Sequence, residues 1–444
     1  MELIAALYQS AQADGVTLRL PLLRDKSLSA HAKNMNNRHK KTWETVRRRS
    51  RKLLAYLQSA WVVISGRWPV KPAGDSRPTK IAFLCHMPAV WSKLEPVYLE
   101  ARAAADFEPI VIAAHRDAGI RIEIARFLTS KGIQVEGSDQ DPSTDLESLR
   151  PDYVFHPVPY EHFYPDHLMP TAVWRYARLC YVPYMGQLMF AGSVADITHH
   201  PSYFRLVRLA FVTDQDEKKD LLKKASWSTR RLGIKDVGCP QSEAFYEESA
   251  GLAGTRSGPL KVLWTPRWNT AEGNCHFFEY KDLLLEMSER GEFALTFRPH
   301  PLCLPHLLGT GELTRDEHDK YLERLEACPL ARIDQGTDYL DAIRGHDVFV
   351  SDISSVLADA ALTGKPVIYT HRVNQFNELG RFLAEGFYWV RDADELSSRL
   401  RALTRGDDHM EGARRKVLGD FRRRQPAGAV KRILSEIRRD RNER

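Results

Sequence analysis

The chain has 444 residues, 43% of them hydrophobic, and a formal net charge of +6. This length and apolar content allow two domains of ordinary size, each with its own core. Six cysteines without a Cys-x-x-Cys pair argue against a disulfide framework and indicate the reducing cytoplasm. No stretch reaches the ~20 apolar residues that a membrane span needs, and residues 1–23 lack the pattern of a signal peptide.

The positive charge is concentrated in two arms. Residues 33–52 hold nine Lys or Arg against one acid, and residues 399–444 hold fifteen against seven, so each arm has an excess of eight positive charges. Such arms suit an anionic membrane surface or glycan, or they are simply solvated helices. They lack the interleaved aromatic residues of a stacking platform, so we expect no nucleic-acid partner.

A helical, basic N-terminal extension is predicted for residues 1–75. Within it, residues 52–68 (KLLAYLQSAWVVISGRW) follow a basic run and carry Trp61 and Trp68. This stretch either lies in a membrane interface, with its tryptophans at headgroup level, or is a helix packed on the first domain. Residues 69–80 are rich in Pro, Gly and charge and are typical of a linker.

The next part of the chain alternates apolar runs with helical patterns. We expect strands at residues 81–86, 109–114, 133–135, 152–155 and 210–213, and helices at 91–105, 121–131 and 216–224. This alternation predicts a parallel doubly wound sheet, in which ligands bind beyond the carboxyl ends of the strands. His86, His115 and His156 each follow a strand, so they either face that crevice or are structural. Residues 230–237 are expected to lead out of the domain.

A second alternation follows a small-residue linker at residues 248–260. Strands are predicted at residues 261–265, 293–297 and 330–333, and helices at 279–289, 316–327 and 338–344. His300 stands between Pro299 and Pro301 on a stiff loop after the second of these strands.

A strand–helix–strand unit completes this domain at residues 347–369 (DVFVSDISSVLADAALTGKPVIY). Val348–Val350 reads as a buried strand, and a short helix follows from Val356 to Thr363, where Gly364 occupies the usual left-handed stop position. Ser354 and Ser355 stand at the start of this helix. They either cap it or help its N-terminus to bind a phosphate group.

Three of these segments resemble the CDP-glycerol glycerophosphotransferase family, whose members build teichoic-acid-type polymers. In SDISSVLADAALTGKPVIY the matching positions are Asp352, Ser354, Ser355, Asp359, Lys365 and Pro366, whereas Ile353 replaces the family's tyrosine. Arg298-Pro-His-Pro resembles its His-Pro motif, and VLWTPRW at residues 262–268 resembles the strand that ends in Pro-x-Trp. The resemblance is close in the C-terminal half and loose in the N-terminal half.

The resemblance implies an α/β fold of the GT-B type, in which two doubly wound Rossmann-type domains face a cleft. We expect an acceptor-side domain at residues 76–240, a domain for the donor nucleotide at residues 260–400, and basic C-terminal helices at residues 401–444. The crossing between the domains is expected near Gly238-Cys-Pro.

The family's histidine in the His-Pro motif is considered essential, so His300 is predicted to act as a donor-phosphate ligand or acid. The residues predicted to bind the donor are Arg267, Arg298, Asp352, Ser354, Ser355 and Asp359, although Asp359 would alternatively brace the domain. The family's Trp-His-Gly-Thr-Pro-like motif, which supplies the acceptor-side base, is replaced here by residues around Val182 to Tyr184. Either the base is supplied elsewhere, by His199, His200 or His86, or the acceptor chemistry differs.

The function that this resemblance implies is transfer of glycerol phosphate, or a related alditol phosphate, from a CDP-activated donor. The acceptor would be a hydroxyl of a lipid-linked or growing cell-envelope glycan, and CMP would leave. The alternatives are a GT-B glycosyltransferase that uses a nucleotide sugar and a non-catalytic nucleotide- or glycan-binding protein. No carboxylate pair of the Asp-x-Asp type indicates a metal site, and such patterns are weak evidence either way, so a divalent metal stays an open alternative. The expected location is the cytoplasm or the inner face of the plasma membrane.

Overall fold

The computed structural model describes residues 77–137, 143–158, 163–182, 201–224, 233–241, 258–271, 273–336, 338–354, 356–370, 376–425 and 428–443, together with residues 53, 57, 58, 60 and 61. Within these ranges the chain forms two six-stranded sheets, and every pair of neighbouring strands is parallel. The α/β, two-domain GT-B-like fold that the sequence predicts is therefore confirmed.

The first sheet has the strand order β2-β1-β3-β4-β5-β6. Its strands are β1 (Thr79–Cys85), β2 (Phe107–Ala113), β3 (Tyr153–Phe155), β4 (Arg178–Tyr181), β5 (Val207–Val212) and β6 (Gly233–Asp236). The helices that flank it are α1 (Pro88–Ala103), α2 (Ala118–Ser130), α3 (Pro170–Val173), α4 (Pro201–Phe204) and α5 (Gln215–Lys224). Apolar clusters cover both faces of this sheet, which explains why its strands are continuous hydrophobic runs rather than alternating ones.

The second sheet has the order β12-β11-β10-β7-β8-β9. Its strands are β7 (Lys261–Thr265), β8 (Ala294–Phe297), β9 (Ala331–Ile333), β10 (Val348–Ser351), β11 (Val367–Tyr369) and β12 (Tyr388–Trp389). Around it lie α6 (Phe277–Glu289), α7 (Cys303–Thr310), α8 (Arg315–Ala327), α9 (Tyr339–Gly345), α10 (Val356–Leu362), α11 (Glu378–Ala384) and α12 (Ala393–Thr404). Strands β7 and β10 lie at its centre, so the segments that follow them meet in the middle of one sheet edge.

Three details differ from the sequence predictions. Residues 133–135 are not a strand, although the N–H of Glu136 donates to the carbonyl of Val111 beside β2. Residues 230–237 do not simply leave the domain, because they contain β6, which pairs with β5. Helix α7 was not predicted; it tolerates Pro305 because that residue lies in the first turn, where the missing N–H costs little.

The basic C-terminal segment forms two helices, α13 (Glu411–Arg424) and α14 (Ala429–Asn442). Helix α14 packs its apolar face on the first sheet's core, against α1, although it follows the second sheet in the chain. The chain thus crosses back to the first domain at its end.

The described part of the N-terminal extension also contacts the first domain. Trp61 packs edge-on against Trp174 with 6.4 Å between ring centroids, and the side-chain amide of Gln58 donates to the carbonyl of Thr171 over 3.2 Å. These contacts fit the packed helix rather than the membrane-interface alternative. Within the described ranges, no helix combines the length and apolar character that a membrane span requires.

Candidate functional site

Four neighbouring strands of the second sheet deliver polar residues to one edge. Arg267 follows β7, His300 follows β8, Asp352 follows β10 and Thr370 follows β11. The carboxyl edge of a parallel sheet is where open α/β folds bind ligands. The fold therefore brings three of the predicted site residues, Arg267, His300 and Asp352, to the carboxyl edge of the second sheet.

Asp352 is the centre of this group. The residue is 1% exposed, and its carboxylate accepts four hydrogen bonds. One oxygen accepts from the Thr370 hydroxyl at 2.6 Å and from the His276 ring Nδ1 at 2.7 Å. The other accepts from the backbone N–H groups of Arg267 at 2.9 Å and His276 at 3.2 Å. With both oxygens engaged, Asp352 fixes the surrounding loops.

Arg267 joins two of those loops. Its backbone N–H binds Asp352, and its guanidinium Nη1 donates to the carbonyl of Ile353 at 3.1 Å. The loop after β7 is thereby tied to the segment that leads into α10, and a guanidinium, a strong donor to phosphate oxygens, is held at the sheet edge.

His300 is fixed by local backbone contacts. Its N–H donates to the carbonyl of Pro266 at 3.0 Å, and its ring Nδ1 accepts from the N–H of Leu302 at 3.1 Å. Because Nδ1 accepts this hydrogen bond, it carries no proton, and the proton of the neutral ring lies on Nε2. His300 therefore presents a neutral hydrogen-bond donor.

Its environment keeps the His300 ring neutral. The residue is exposed at the surface, yet neighbouring protein atoms, including the Trp268 ring at 6.3 Å, partly desolvate the imidazole. This desolvation, followed by the positive charge of Arg267, lowers the pKa of His300 to about 4. A bound anionic phosphate would oppose both effects.

The serines at the start of α10 are described only in part. The Ser354 hydroxyl oxygen accepts from the N–H of Val356 at 3.2 Å, which is a capping contact. Ser355 lies outside the described residues, and so do His199 and His200.

Two predicted donor-binding residues have other partners. The Arg298 guanidinium donates to the Asp334 carboxylate at 2.6 Å and to the carbonyl of Gly336 at 2.7 Å, so it braces the loop after β9. Asp359 is 3% exposed and faces the first domain.

Asp359 belongs to a buried polar network between the two domains. It accepts from the Tyr339 hydroxyl and from the Gln241 amide, each at 3.0 Å, and the Ser92 hydroxyl of α1 lies 3.2 Å from that of Tyr339. Burial raises the pKa of Asp359 to about 7, although Tyr339 and the nearby Lys93 ammonium oppose the rise. These contacts agree with the alternative prediction for Asp359, in which its carboxylate braces the domain instead of binding the donor.

The histidines after the strands of the first sheet also have structural partners. His156 is fully buried, and its two ring nitrogens lie 3.1 and 3.3 Å from the carbonyls of Val158 and Leu168. The buried His86 ring lies 3.2 Å from the Tyr164 hydroxyl. His115 accepts from the N–H of Asp117, just before α2. All three contacts fit the structural interpretation.

One contributor to the site was not predicted from sequence. His276, the residue before α6, lies 76 residues from its partner Asp352, and only its place after the β7 loop hinted at the sheet edge. Lys365, a position that matches the family signature, lies outside this site, before β11 at the opposite edge of the sheet. Its ammonium donates to the carbonyls of Arg344 and His346, at 2.8 and 2.7 Å, and so caps the end of α9. In the described ranges, no three His, Cys, Asp or Glu side chains come together as a metal site requires.

Known proteins share this architecture. No family model and no curated protein sequence matches the chain. Among solved structures, a putative UDP-N-acetylglucosamine 2-epimerase from Listeria monocytogenes is 13% identical with a TM-score of 0.56, over 83% of this chain and 98% of that one. UDP-GlcNAc 2-epimerase from Neisseria meningitidis, bound to UDP-GlcNAc, is 12% identical with a TM-score of 0.53, over 81% and 99%.

The wall teichoic acid polymerase TagF is a third similar structure. It is 14% identical with a TM-score of 0.52, and the match covers 88% of this chain and 98% of TagF. At these identities the likeness establishes the fold, which is that of two-domain enzymes of the GT-B type.

Proposed function

We propose that the protein is a transferase that moves glycerol phosphate, or a related alditol phosphate, from a CDP-activated donor to a hydroxyl of a cell-envelope glycan. The observation that carries the proposal is the pairing of His300 and Arg267 at the carboxyl edge of the second sheet. A neutral imidazole N–H and a guanidinium stand there together, beside the segment that resembles the glycerophosphotransferase signature.

The chemistry of the proposed reaction needs such donors. The acceptor hydroxyl attacks the β-phosphorus of the donor, a new O–P bond forms, and the bond to the CMP oxygen breaks. Negative charge develops on the departing CMP, and fixed donors at that position stabilise it. Arg267 and His300 would supply this stabilisation, while Asp352 holds the loop of Arg267 in place.

The fold neighbours support both this proposal and one alternative. TagF is a teichoic acid polymerase, which agrees with transfer of an alditol phosphate. The structure from Neisseria meningitidis is bound to UDP-GlcNAc, so an enzyme that acts on a nucleotide sugar is the second candidate. In a glycosyltransferase that uses a nucleotide-sugar donor, the acceptor attacks the anomeric carbon of the sugar, and the nucleoside diphosphate leaves intact. The released nucleotide therefore separates the two: CMP for the first, a nucleoside diphosphate for the second.

The test combines binding with turnover. Thermal stability of the purified full chain is measured with CDP-glycerol, CDP, CMP, UDP, UDP-GlcNAc and GDP-sugars. A ligand at 100 times its Kd stabilises the folded protein by about 2.7 kcal/mol. We expect CDP and CDP-glycerol to raise the melting temperature, and CMP to be released from CDP-glycerol when a lipid-linked glycan is supplied as the hydroxyl acceptor.

The variant His300→Ala and a matched control locate the effect. Loss of one hydrogen bond to a charged phosphate should weaken CDP binding about 10- to 100-fold. His409→Ala is the control, because His409 is an exposed histidine whose ring contacts Tyr388 of β12 and Arg399 of α12, which are not among the predicted site residues. Stabilisation by UDP- or GDP-sugars alone would favour the nucleotide-sugar enzyme, and CDP binding without CMP release would favour a non-catalytic binder.

A further inference from the structure

A cavity of about 640 Å³ lies beside β12, the edge strand of the second sheet. One of its walls is the segment from Trp389 to Arg391 at the end of β12, and the other is the first two turns of α12. Its volume falls within the range of about 300–1,000 Å³ that is usual for small-molecule sites. Among the described residues that line it, none is one that we assigned to the donor, so it is a separate candidate site.

Trp389 supplies an aromatic surface to this cavity. It is 41% exposed, and it is the largest apolar side chain exposed in the part of the chain that the structure describes. Its indole is nevertheless held in one orientation. The Nε1–H donates to the carbonyl of Ala384 at 3.4 Å, and the ring packs edge-on against Tyr369 with 4.8 Å between centroids. A ring that is already fixed loses little conformational freedom when a ligand stacks on it.

The wall formed by α12 adds polar groups of both signs. Asp394 and Ser398 are exposed and four residues apart, so they share one face of the helix. Glu395 and Arg399 also line the cavity, and Glu395 forms an ion pair with Arg391 on the opposite wall. Two carboxylates and two guanidinium groups therefore surround the cavity, and their formal charges cancel.

This lining selects an uncharged ligand that is rich in hydroxyl groups. The C–H face of a sugar ring is apolar and packs on an indole, whereas its hydroxyls donate to carboxylates and accept from guanidinium groups. A nucleotide or another polyanion is not favoured, because the two carboxylates offset the attraction of the two arginines.

We propose that the cavity is a glycan subsite, in which Trp389 stacks on a sugar ring and Asp394 and Ser398 hydrogen-bond its hydroxyls. The inference rests on the proposed transfer to a cell-envelope glycan, because it makes the bound sugar a part of that acceptor. The chemical class of the ligand is thus an uncharged sugar unit of an oligosaccharide.

The position of the cavity agrees with this role. Strand β12 lies two strands from β10, which at about 4.8 Å per strand is roughly 10 Å from the strand that leads to Asp352. Tyr369, which packs against Trp389, ends the strand between them. A glycan that occupies the subsite can therefore extend along the carboxyl edge of the sheet towards the proposed donor site.

The first test is binding of uncharged disaccharides to the purified full chain, followed by NMR. The probes are N,N′-diacetylchitobiose, cellobiose and maltose. The indole N–H signal of Trp389, which is identified by its loss in Trp389→Phe, should shift on titration with at least one of them. Trp389→Ala should weaken the binding of that disaccharide about 10- to 100-fold, as truncation of a central tryptophan usually does.

Two further variants separate the subsite from a general effect on the fold. Phe278→Ala is the matched control, because Phe278 is 40% exposed but lies on α6 and does not line the cavity, so affinity should not change. Ser398→Trp fills the cavity from an exposed helix position, so it should abolish disaccharide binding and keep the thermal shift with CDP. Equal affinity in the wild type, Trp389→Ala and Ser398→Trp would overturn the assignment. A Trp389 signal that shifts with CDP but with none of the disaccharides would also overturn it.

Turnover separates this inference from the proposed function. With CDP-glycerol and a lipid-linked glycan, Trp389→Ala should raise the KM for the glycan about 10-fold or more and leave kcat nearly unchanged, because the sugar is held equally in the ground and transition states. If the wild type releases CMP and Trp389→Ala has the same KM, the proposed function stands and the subsite assignment falls. If the wild type releases no CMP but binds a disaccharide through Trp389, the proposed transfer falls and the glycan site stands.

Discussion

At the residue scale, the charge state of His300 should depend on whether a phosphate is bound. In the free protein, desolvation and Arg267 keep the pKa of the ring at about 4, so His300 is neutral at pH 7. Negative phosphates beside it favour the imidazolium, so the pKa rises in the complex and binding takes up a proton. Affinity for CDP should therefore increase as the pH falls from 7 towards 5, relative to a variant that lacks this ring.

The measurement is calorimetric titration with CDP between pH 5 and 8, for the wild type and His300→Gln. The ratio of the two association constants should rise towards low pH, by at most tenfold per pH unit because one proton is involved. The ratio removes the titration of CDP itself. A ratio that stays constant across this range would show that the ring stays neutral in the complex, so that the phosphates do not raise its pKa.

Part of this residue set was predictable from sequence. Arg267, His300 and Asp352 each follow an apolar strand, and parallel strands bring such positions to one edge. The partners of these residues were not predictable. His276 and Asp352 are 76 residues apart, and neither periodicity nor capping signals specify which side chains meet across a sheet edge. For the same reason Arg298 and Asp359 could be placed on the donor side without knowledge of Asp334 or Tyr339.

At the element scale, the end of α10 depends on Gly364. Its φ of +75° lies in the left-handed region, and a Cβ added there would come within 2.9 Å of the Leu418 side chain in α13. Gly364→Ala should therefore be destabilising by about 1 kcal/mol for the backbone conformation, plus about 1–3 kcal/mol for the overpacking. Denaturant unfolding of the full chain would measure this change.

Gly291→Ala is the matched control for that substitution. Gly291 has almost the same φ, +78°, but a Cβ there would meet no atom within 4 Å. The difference between the two losses in the free energy of unfolding isolates the contact of residue 364 with Leu418 of α13. Equal losses of stability would mean that Leu418 moves aside without cost.

The elements themselves were predicted unevenly, for identifiable reasons. Long apolar runs such as β1 and the β10–α10–β11 unit have periodicities and stop signals that specify them. Residues 133–135 have the same apolar character but too few backbone hydrogen bonds to the sheet to form a strand. Strand β6 (GIKD) is short and polar, and only its pairing with β5 reveals it.

At the scale of the whole molecule, α14, the last helix of the basic C-terminal arm, is an integral part of the first domain, whereas α13 packs on the second. In α14 the apolar residues Ile433, Leu434 and Ile437 share one face and lie in the core around the first sheet. Net charge alone suggested an arm for an anionic surface. Several of its charges instead bind within the protein, among them Arg438, whose guanidinium donates to the carboxylate of Asp106 at 2.6 and 2.9 Å.

Asp440, near the end of α14, offers a test of how strongly α14 stabilises the first domain. It is 3% exposed and accepts from the Tyr153 hydroxyl at 2.9 Å and from Arg208 at 2.6 Å, and it pairs with the buried Arg178 of β4. Asp440→Ala would leave the Arg178 charge buried without its carboxylate. Breaking a buried ion pair from one side costs about 3–5 kcal/mol, so we expect a loss of that order in the free energy of unfolding.

Glu443 provides the comparison for Asp440 on the same helix end. It binds the same Arg208, at 3.0 Å, but its side chain is 58% exposed, and exposed pairs contribute about 0–1 kcal/mol. Denaturant unfolding followed by tryptophan fluorescence should therefore separate Asp440→Ala from Glu443→Ala by several kcal/mol. If both variants unfold at the wild-type midpoint, α14 does not hold the first domain together. A loss of stability confined to Asp440→Ala would mean that the last turn of α14 stabilises the first sheet through Asp440.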